Sequence, residues 1–419
     1  MKVELINTGT ELMLGRILNT HQQWLCRQLA DRGYVVTRQV AIADTALDIE
    51  QAVREALTRA DLVIATGGLG PTSDDLTRDL VARLLGRELR EDAAILDHIR
   101  QFFDRRGRAM PERTRVQAQV PAGAIVLPNP NGTAPGLALE VRPNPFRPDP
   151  LPSWLVMLPG PPRELRPMFT DTVVPLVQRV FPQDAPFVCR TFRTTGIPES
   201  AVEDTIDDPL RGMVAAGLEL GYCARPGQVD VRLAAHGVDA PARVREASRI
   251  VTDRLHPWIY GHDEEDLETA LIRELTARRL TLALAESCTG GCLAHRLTNV
   301  PGASAVLLAG LVTYSNEAKQ TFLGVRAETL AAHGAVSEPV AREMAEGART
   351  RSGADFALSV TGIAGPSGGS AEKPVGTVFI GLATPSSTVV SRQLNPYDRE
   401  TFKQVTAQQA LDLLRRALP

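Results

Sequence analysis

Residues 280–297 read LTLALAESCTGGCLAHRL, the pattern of a buried strand that runs into a helix. From Leu280 to Ala285 the residues are almost all apolar, as in a strand covered on both faces of an α/β layer structure. The run breaks at Glu286 and Ser287 into a Gly-rich turn, and a helix is expected to open at Cys292. A serine so placed sits at the carboxyl end of a strand and the amino end of a helix. Backbone N–H groups there face whatever the hydroxyl attacks, and the helix dipole favours negative charge, so nucleophile and oxyanion site can share one turn. The plainer reading of Ser287 is a helix cap, with the TGG run merely making the turn.

Residues 312–324, VTYSNEAKQTFLG, weigh against the plainer reading. A nucleophilic serine needs a base, and no histidine in the chain carries an evident triad pattern around it. Lys319 is the alternative. A free lysine titrates at about 10.4, so service as a base near neutrality requires burial or a neighbouring cation to depress it at a cost of roughly 4 kcal/mol. Tyr314, earlier in the same string, is a second candidate relay for the proton, and the sequence does not choose between them. Cys288 is the better intrinsic nucleophile, but it has no histidine partner nearby, and it reads with Cys292 as a packing residue.

Residues 354–383, ADFALSVTGIAGPSGGSAEKPVGTVFIGLA, close the site. Phe356 to Val360 reads as another buried strand, ending in Thr361 and Gly362 and then Gly365 and Pro366. The Gly/Ser-rich loop that leads to Lys373, Pro374 and Gly376 suits close backbone approach to a phosphate or ribose, with Lys373 as counter-charge. Its bland reading is a flexible hairpin connection.

AESCTGG, YSNEAK and SVTGIAGPSGG, in that order, resemble the carboxy-terminal domain of the CinA (competence-damage-inducible) family, whose members include nicotinamide mononucleotide amidohydrolases. The resemblance implies that Ser287 is the nucleophile, activated by Tyr314 and Lys319. It also implies that Thr289, Thr361, Gly362 and Gly365 line the substrate and that Gly290 and Gly291 shape the turn beside the attacked carboxamide. The reaction so implied is hydrolysis of nicotinamide mononucleotide to nicotinic acid mononucleotide and ammonia through an acyl-enzyme, with no cofactor in this domain.

A second constellation lies at residues 66–77, TGGLGPTSDDLT, after the apolar run of DLVIATGG. Loops at the carboxyl ends of strands form the ligand crevices of open α/β sheets. Gly67, Gly68 and Gly70 let backbone N–H groups approach an anion, and Asp74 with Asp75 suits a hard cation, although acids in a first helical turn are also favoured by the dipole alone. No GKS or GKT follows, so this is not a Walker loop. Together with TGTELMLG, PNPNGTAPG and MLPGPPREL, the string resembles the molybdopterin-binding domain of molybdenum cofactor biosynthesis proteins, in the version fused to CinA proteins. That version is associated with ADP-ribose pyrophosphatase activity. The resemblance implies nucleotide contacts at Gly67, Gly68, Gly70, Thr72, Asn131 and Gly132, and a divalent metal (Mg, Mn or Co) at Asp75, Asp74 and Glu11. The Pro-rich passage after Val141 is longer than this pattern requires.

At 419 residues the chain is too long for one ordinary core. The expected class is α/β: a molybdopterin-binding-like parallel-sheet domain (1–170), a small α+β KH-like spacer or dimerisation domain (171–262) and the amidohydrolase domain (263–419). In the first, strands are expected at Val3 to Ile6, Val35 to Val40 and within DLVIATGG, with helices from about Asn19 to Arg32 and Asp48 to Thr58. Arg142 to Ser153 reads as a long hairpin loop rather than a linker. In the second, TTGIPES has one glycine where an RNA-clamping KH loop has GxxG. The net charge of −3 gives no global electrostatic case for nucleic acid either. RQFFDRRGRAMPERTRVQ is read as a helix end and a solvated loop, with Phe102 and Phe103 in the core. Five cysteines without a CxxC pair argue for a reducing compartment, and no apolar run approaches the ~18 residues of a membrane span, so a soluble cytoplasmic protein is expected. The expected partners are the small nucleotides nicotinamide mononucleotide and ADP-ribose and, by resemblance, a second copy in a homodimer. The rival readings are a pterin-binding amino-terminal domain without turnover and a non-enzymatic partner in competence or recombination.

Overall fold

The computed structural model describes residues 1–418. The chain forms two compact units, Met1–Val188 and a second that begins at Cys189.

In the first unit six strands lie in the order Val36–Ile42, Val3–Thr8, Leu62–Thr66, Ser153–Leu158, Gly136–Val141, Ile125–Leu127. The first four run parallel and the last two antiparallel. The expected parallel sheet therefore holds for the half that carries the glycine loops and gains an antiparallel edge, because the Arg142–Ser153 passage turns the chain back on itself. Val3–Thr8 and Leu62–Thr66 are buried along their whole length, which is why they read as unbroken apolar runs. Helix Thr20–Ala30 starts behind Asn19, whose side chain accepts from Gln22 N, and it packs Leu25 and Leu29 on one face of the sheet. Helix Ala46–Leu57 starts behind Thr45 and packs Ile49, Val53 and Leu57 on the other. Each such fully buried side chain contributes roughly 1.5–3 kcal/mol.

The division expected after residue 170 is corrected. Pro162–Met168, Phe169–Val173 and Val174–Val180 form one helical run, and Leu165, Phe169, Val173 and Val177 are buried in the core of the first unit. The Phe102 and Phe103 reading also changes. Both are half-buried at the end of helix Ala93–Asp104, Phe103 against a small satellite cluster and Phe102 under the guanidinium of Arg106.

The second unit holds two sheets. The strands Leu218–Arg225, Gln228–His236, Phe187–Thr195 and Ile259–His262 lie beside helices Glu199–Ala215 and Ala240–Leu255, the α+β order read from the middle of the chain. A five-stranded sheet follows in the order Leu307–Val312, Leu282–Glu286, Phe356–Gly362, Thr377–Ala383, Thr388–Leu394. Its first three strands are parallel and its last two antiparallel. One face is covered by Phe402, Leu411 and Leu414 of helix Arg399–Ala417, the other by Val340 and Met344 of helix Glu338–Ser352. The carboxyl ends of the parallel strands deliver Ser287, Thr313 and Thr361 to one edge of this sheet. No helix among the described residues is long and apolar enough to cross a membrane.

Candidate active sites

Strand Leu282–Glu286 is buried throughout and hands the chain to a tight turn in which Gly290 N donates to Ser287 O at 3.0 Å. Gly290 (φ 60°) and Gly291 (φ 92°) occupy the left-handed region, which a side chain would strain, so the two glycines are what let the helix Cys292–Thr298 start at once. Ser287 is 9% exposed at the mouth of this turn. Helix Asn316–Leu323, capped by the Ser315 hydroxyl, carries Lys319 underneath it. Lys319 Nζ stands 3.1 Å from Ser287 Oγ and donates to the carbonyls of Thr313 at 2.8 Å and Tyr314 at 3.4 Å. Its side chain is 1% exposed, and among the described residues it makes no ion pair. Burial pushes the Lys319 ammonium below its ordinary value, with the Cys288 thiol acting weakly the other way. A neutral amine has two N–H groups for the two carbonyls and one lone pair for the serine hydroxyl, so this nest satisfies the deprotonated lysine completely.

Glu286 is fully buried, and the sequence reading gave it no role. Its carboxylate accepts from the N–H groups of Gly291 at 3.0 Å, Leu293 at 3.2 Å and Ala294 at 2.9 Å. Those are the amides of the helix amino end that were expected to meet an oxyanion, and they are already taken. The turn amides of Cys288 and Thr289 donate to no main-chain oxygen, and both approach the Cys288 sulfur instead. The signal in the sequence was an acid set just before a glycine pair that opens a helix, a capping acid supplied from the preceding strand. Cys288 lies in the apolar core, and burial pushes its thiol up to about 12, as expected of a packing residue.

The other residues of this site divide. Thr289 is fully buried with its hydroxyl unpartnered among the described residues, an arrangement that leaves one polar atom for a ligand. Tyr314 is exposed, and its hydroxyl accepts from Arg399 at 2.9 Å, so it is the backbone carbonyl of Tyr314 that faces Lys319 and not the phenol. Thr361 donates its hydroxyl to Ala335 O at 2.8 Å, which anchors the strand end and leaves the oxygen free only as an acceptor. Gly362 sits where a Cβ would press on Thr377 O at 2.9 Å, and Gly365 (φ 72°) gives its carbonyl to Arg399 at 2.9 Å. Arg399 thus ties the loop after Thr313 to the loop after Gly362, a long-range role that no local pattern announced. Lys373 is half-buried and donates to His333 O at 2.9 Å.

In the first unit a cleft of about 400 Å³ opens at the carboxyl ends of Val3–Thr8 and Leu62–Thr66. Glu11, Gly67, Gly68, Gly70, Asp74 and Asp75 all line it. Gly67 (φ 101°) and Gly68 (φ 68°) are left-handed, and a Cβ on Gly70 would strike the Asp75 carboxylate. Thr72 acts through Asp75, to which it donates both its N–H, at 2.9 Å, and its hydroxyl. Asn131 and Gly132 are not among the lining residues. Asn131 turns its amide to Arg163 O at 3.2 Å, and Gly132 packs on Glu164. The sequence reading missed Glu164, a buried carboxylate that lines the cleft and accepts from Asn129 Nδ2 at 2.8 Å. Among the described residues no three His, Cys, Asp or Glu side chains are gathered closely enough to hold a metal ion. Asp74, Asp75 and Glu11 all line the cleft, and a hard cation that keeps most of its own water needs only one or two such carboxylates.

Three family models match the chain: the "CinA C-terminal domain" at 264–418, the "Probable molybdopterin binding domain" at 4–179 and the "Damage-inducible protein CinA KH domain" at 189–261. Curated relatives match along the full length. The CinA-like protein of Gemmatimonas aurantiaca is 43% identical over 100% of this chain and 96% of its own. The CinA-like protein of Akkermansia muciniphila is 44% identical over 98% of this chain and 96% of its own.

Proposed function

Because the chain belongs to the CinA family, we propose that its carboxy-terminal domain hydrolyses the carboxamide of nicotinamide mononucleotide, with Ser287 as nucleophile and Lys319 as base. The observation that carries the reading is the 3.1 Å hydrogen bond between Ser287 Oγ and the buried, unpaired Lys319 Nζ. In this mechanism Ser287 Oγ attacks the carboxamide carbon while its proton passes to Lys319 Nζ. The oxyanion that forms faces the N–H groups of Cys288 and Thr289, a pair of donors of the kind whose single loss costs about 10²–10³ in rate. Collapse breaks the C–N bond, and the leaving ammonia takes the proton held by Lys319. Water then attacks the acyl-Ser287 ester, Lys319 again receives a proton and returns it to Ser287 Oγ, and nicotinic acid mononucleotide departs.

The cleft of the first unit is assigned hydrolysis of the ADP-ribose pyrophosphate bond. Its glycine backbone gives close approach to phosphates, and Asp75, Asp74 and Glu11 would hold a divalent cation that arrives with them. When bound, that cation would neutralise phosphate charge and polarise the phosphoryl group.

The test is product analysis. Full-length protein incubated with nicotinamide mononucleotide and a chelator is expected to yield nicotinic acid mononucleotide and ammonia in equal amounts. Free nicotinamide or unchanged substrate contradicts the assignment. For the first unit, ADP-ribose turnover with added divalent metal and its loss in Asp75→Ala are expected. Tight pterin binding with no turnover contradicts that assignment.

A further inference from the structure

We propose that the cavity between the two sheets of the second unit is a further binding site, for a phosphate ester that carries a planar ring, the chemistry of a mononucleotide. The cavity measures about 660 Å³. Its walls come from the hairpin turn at Gly227, the start of helix Glu199–Ala215, the end of strand Thr388–Leu394 and the later turns of helix Arg399–Ala417. None of Ser287, Thr289 and Lys319 lines it, and neither does any residue of the first unit, so it belongs to neither reaction assigned above.

The charge of the cavity comes from two aspartates, each shared between two arginines. Asp230 accepts from Arg225 at 2.7 Å and from Arg193 at 3.1 Å, and Asp412 accepts from Arg415 at 2.8 Å and from Arg416 at 2.7 Å. Each cluster keeps one positive charge in excess, and Arg225 and Arg416 bring it to the cavity wall, one from the middle sheet and one from the last helix. Arg225 spends only Nη2 on its aspartate and Arg416 only Nε, so each guanidinium has donors left for an anion. Gly196 (φ 76°) admits Arg416, whose Nη2 lies 3.1 Å from the point where a Cβ would sit. Glu199, exposed at the start of its helix, is the one other carboxylate on the wall, so four guanidiniums stand against three carboxylates. The remaining surface is apolar. Leu394 and Tyr397 are 56% and 49% exposed although they line a concavity, and Ile197 and Leu413 line it with them. Apolar and aromatic walls of this kind are better covered by a ring than by water, and inorganic phosphate alone would leave them bare.

The experiment uses the full-length chain with Trp24→Phe and Trp154→Phe, which leaves Trp258 as the single tryptophan. The Trp258 ring lies beside the cavity, 3.9 Å from the point where a Cβ on Gly196 would sit. The probes are AMP, adenosine and inorganic phosphate, followed by Trp258 fluorescence and by calorimetry. AMP is expected to change the Trp258 emission saturably and to bind at least about tenfold more tightly than either adenosine or phosphate. Arg225→Gln and Arg416→Gln are each expected to weaken AMP roughly five- to twentyfold. Glu199→Gln is expected to tighten it roughly two- to threefold, a change of sign that a damaged fold would not produce. Adenosine that binds as tightly as AMP overturns the site. So does an AMP affinity that none of the three substitutions moves, including calorimetric binding without a Trp258 response, which would put AMP elsewhere on the chain. The absence of any AMP binding overturns it as well.

Discussion

Lys319 reaches Ser287 Oγ at 3.1 Å from a pocket in which the lysine is 1% exposed and its other contacts are the two main-chain carbonyls of Thr313 and Tyr314. A structural lysine seeks water or a carboxylate. This one is held where its charged form is penalised and where, among the described residues, no carboxylate pairs with it.

That placement fixes the sign of a pH effect. Burial lowers the Lys319 titration, so the neutral base prevails above a pH that lies below the ordinary value of about 10.4. kcat/KM for ammonia release should rise with pH and level off before that value, and the rising limb should vanish from the residual activity of Lys319→Met. A limb centred at or above the free-lysine value contradicts the assignment.

The same shift predicts a stability effect. The unfolded lysine binds a proton that the folded one releases, so folding stability should rise with pH between the depressed value and about 10.4. Lys319→Met should abolish that slope and raise the midpoint of denaturant unfolding near neutrality, while ammonia release falls by about 10³ or more. A variant that is both inactive and markedly less stable would make Lys319 a structural residue.

Tyr314→Phe separates the two candidate bases. Because the phenol meets Arg399 at the surface, the variant should keep at least about a tenth of the wild-type kcat, the loss of one exposed hydrogen bond being of order 1 kcal/mol. A loss as deep as that of Lys319→Met would put the phenol in the proton path.

Glu286→Ala strips three helix-end amides of their acceptor inside the core. Each unsatisfied donor costs about 1–3 kcal/mol, partly recovered by relaxation, so a stability loss of roughly 2–4 kcal/mol with a fall in kcat is expected in urea titration and steady-state assays. A change within about 0.5 kcal/mol would mean that the carboxylate does not hold the turn.

The local parts of this account were legible in the sequence, and the non-local parts were not. The strand, the two left-handed glycines, Ser287 and the helix start at Cys292 all follow from an unbroken apolar run and a GG pair. Lys319 follows from the need for a base. Which end of Tyr314 faces the lysine depends on how the loop after Thr313 turns, and that is set by Arg399, a residue distant in sequence. The antiparallel edge of the first sheet was hidden because an apolar strand looks the same in either direction. The division after residue 170 failed because the apolar period of the helical run through Val177 continues past it. Glu164 was passed over as an ordinary acid near a helix start, although its burial beside Asn129 is what brings it to the cleft.

The most direct measurement is ammonia release from nicotinamide mononucleotide, without metal, by the wild type, Ser287→Ala and Cys288→Ala side by side. The account predicts release by the wild type and by Cys288→Ala, whose parent thiol is held at about 12 and is not a thiolate near neutrality, and none above background by Ser287→Ala. Release that survives the loss of Ser287, or that disappears with Cys288 in a folded protein, would contradict it.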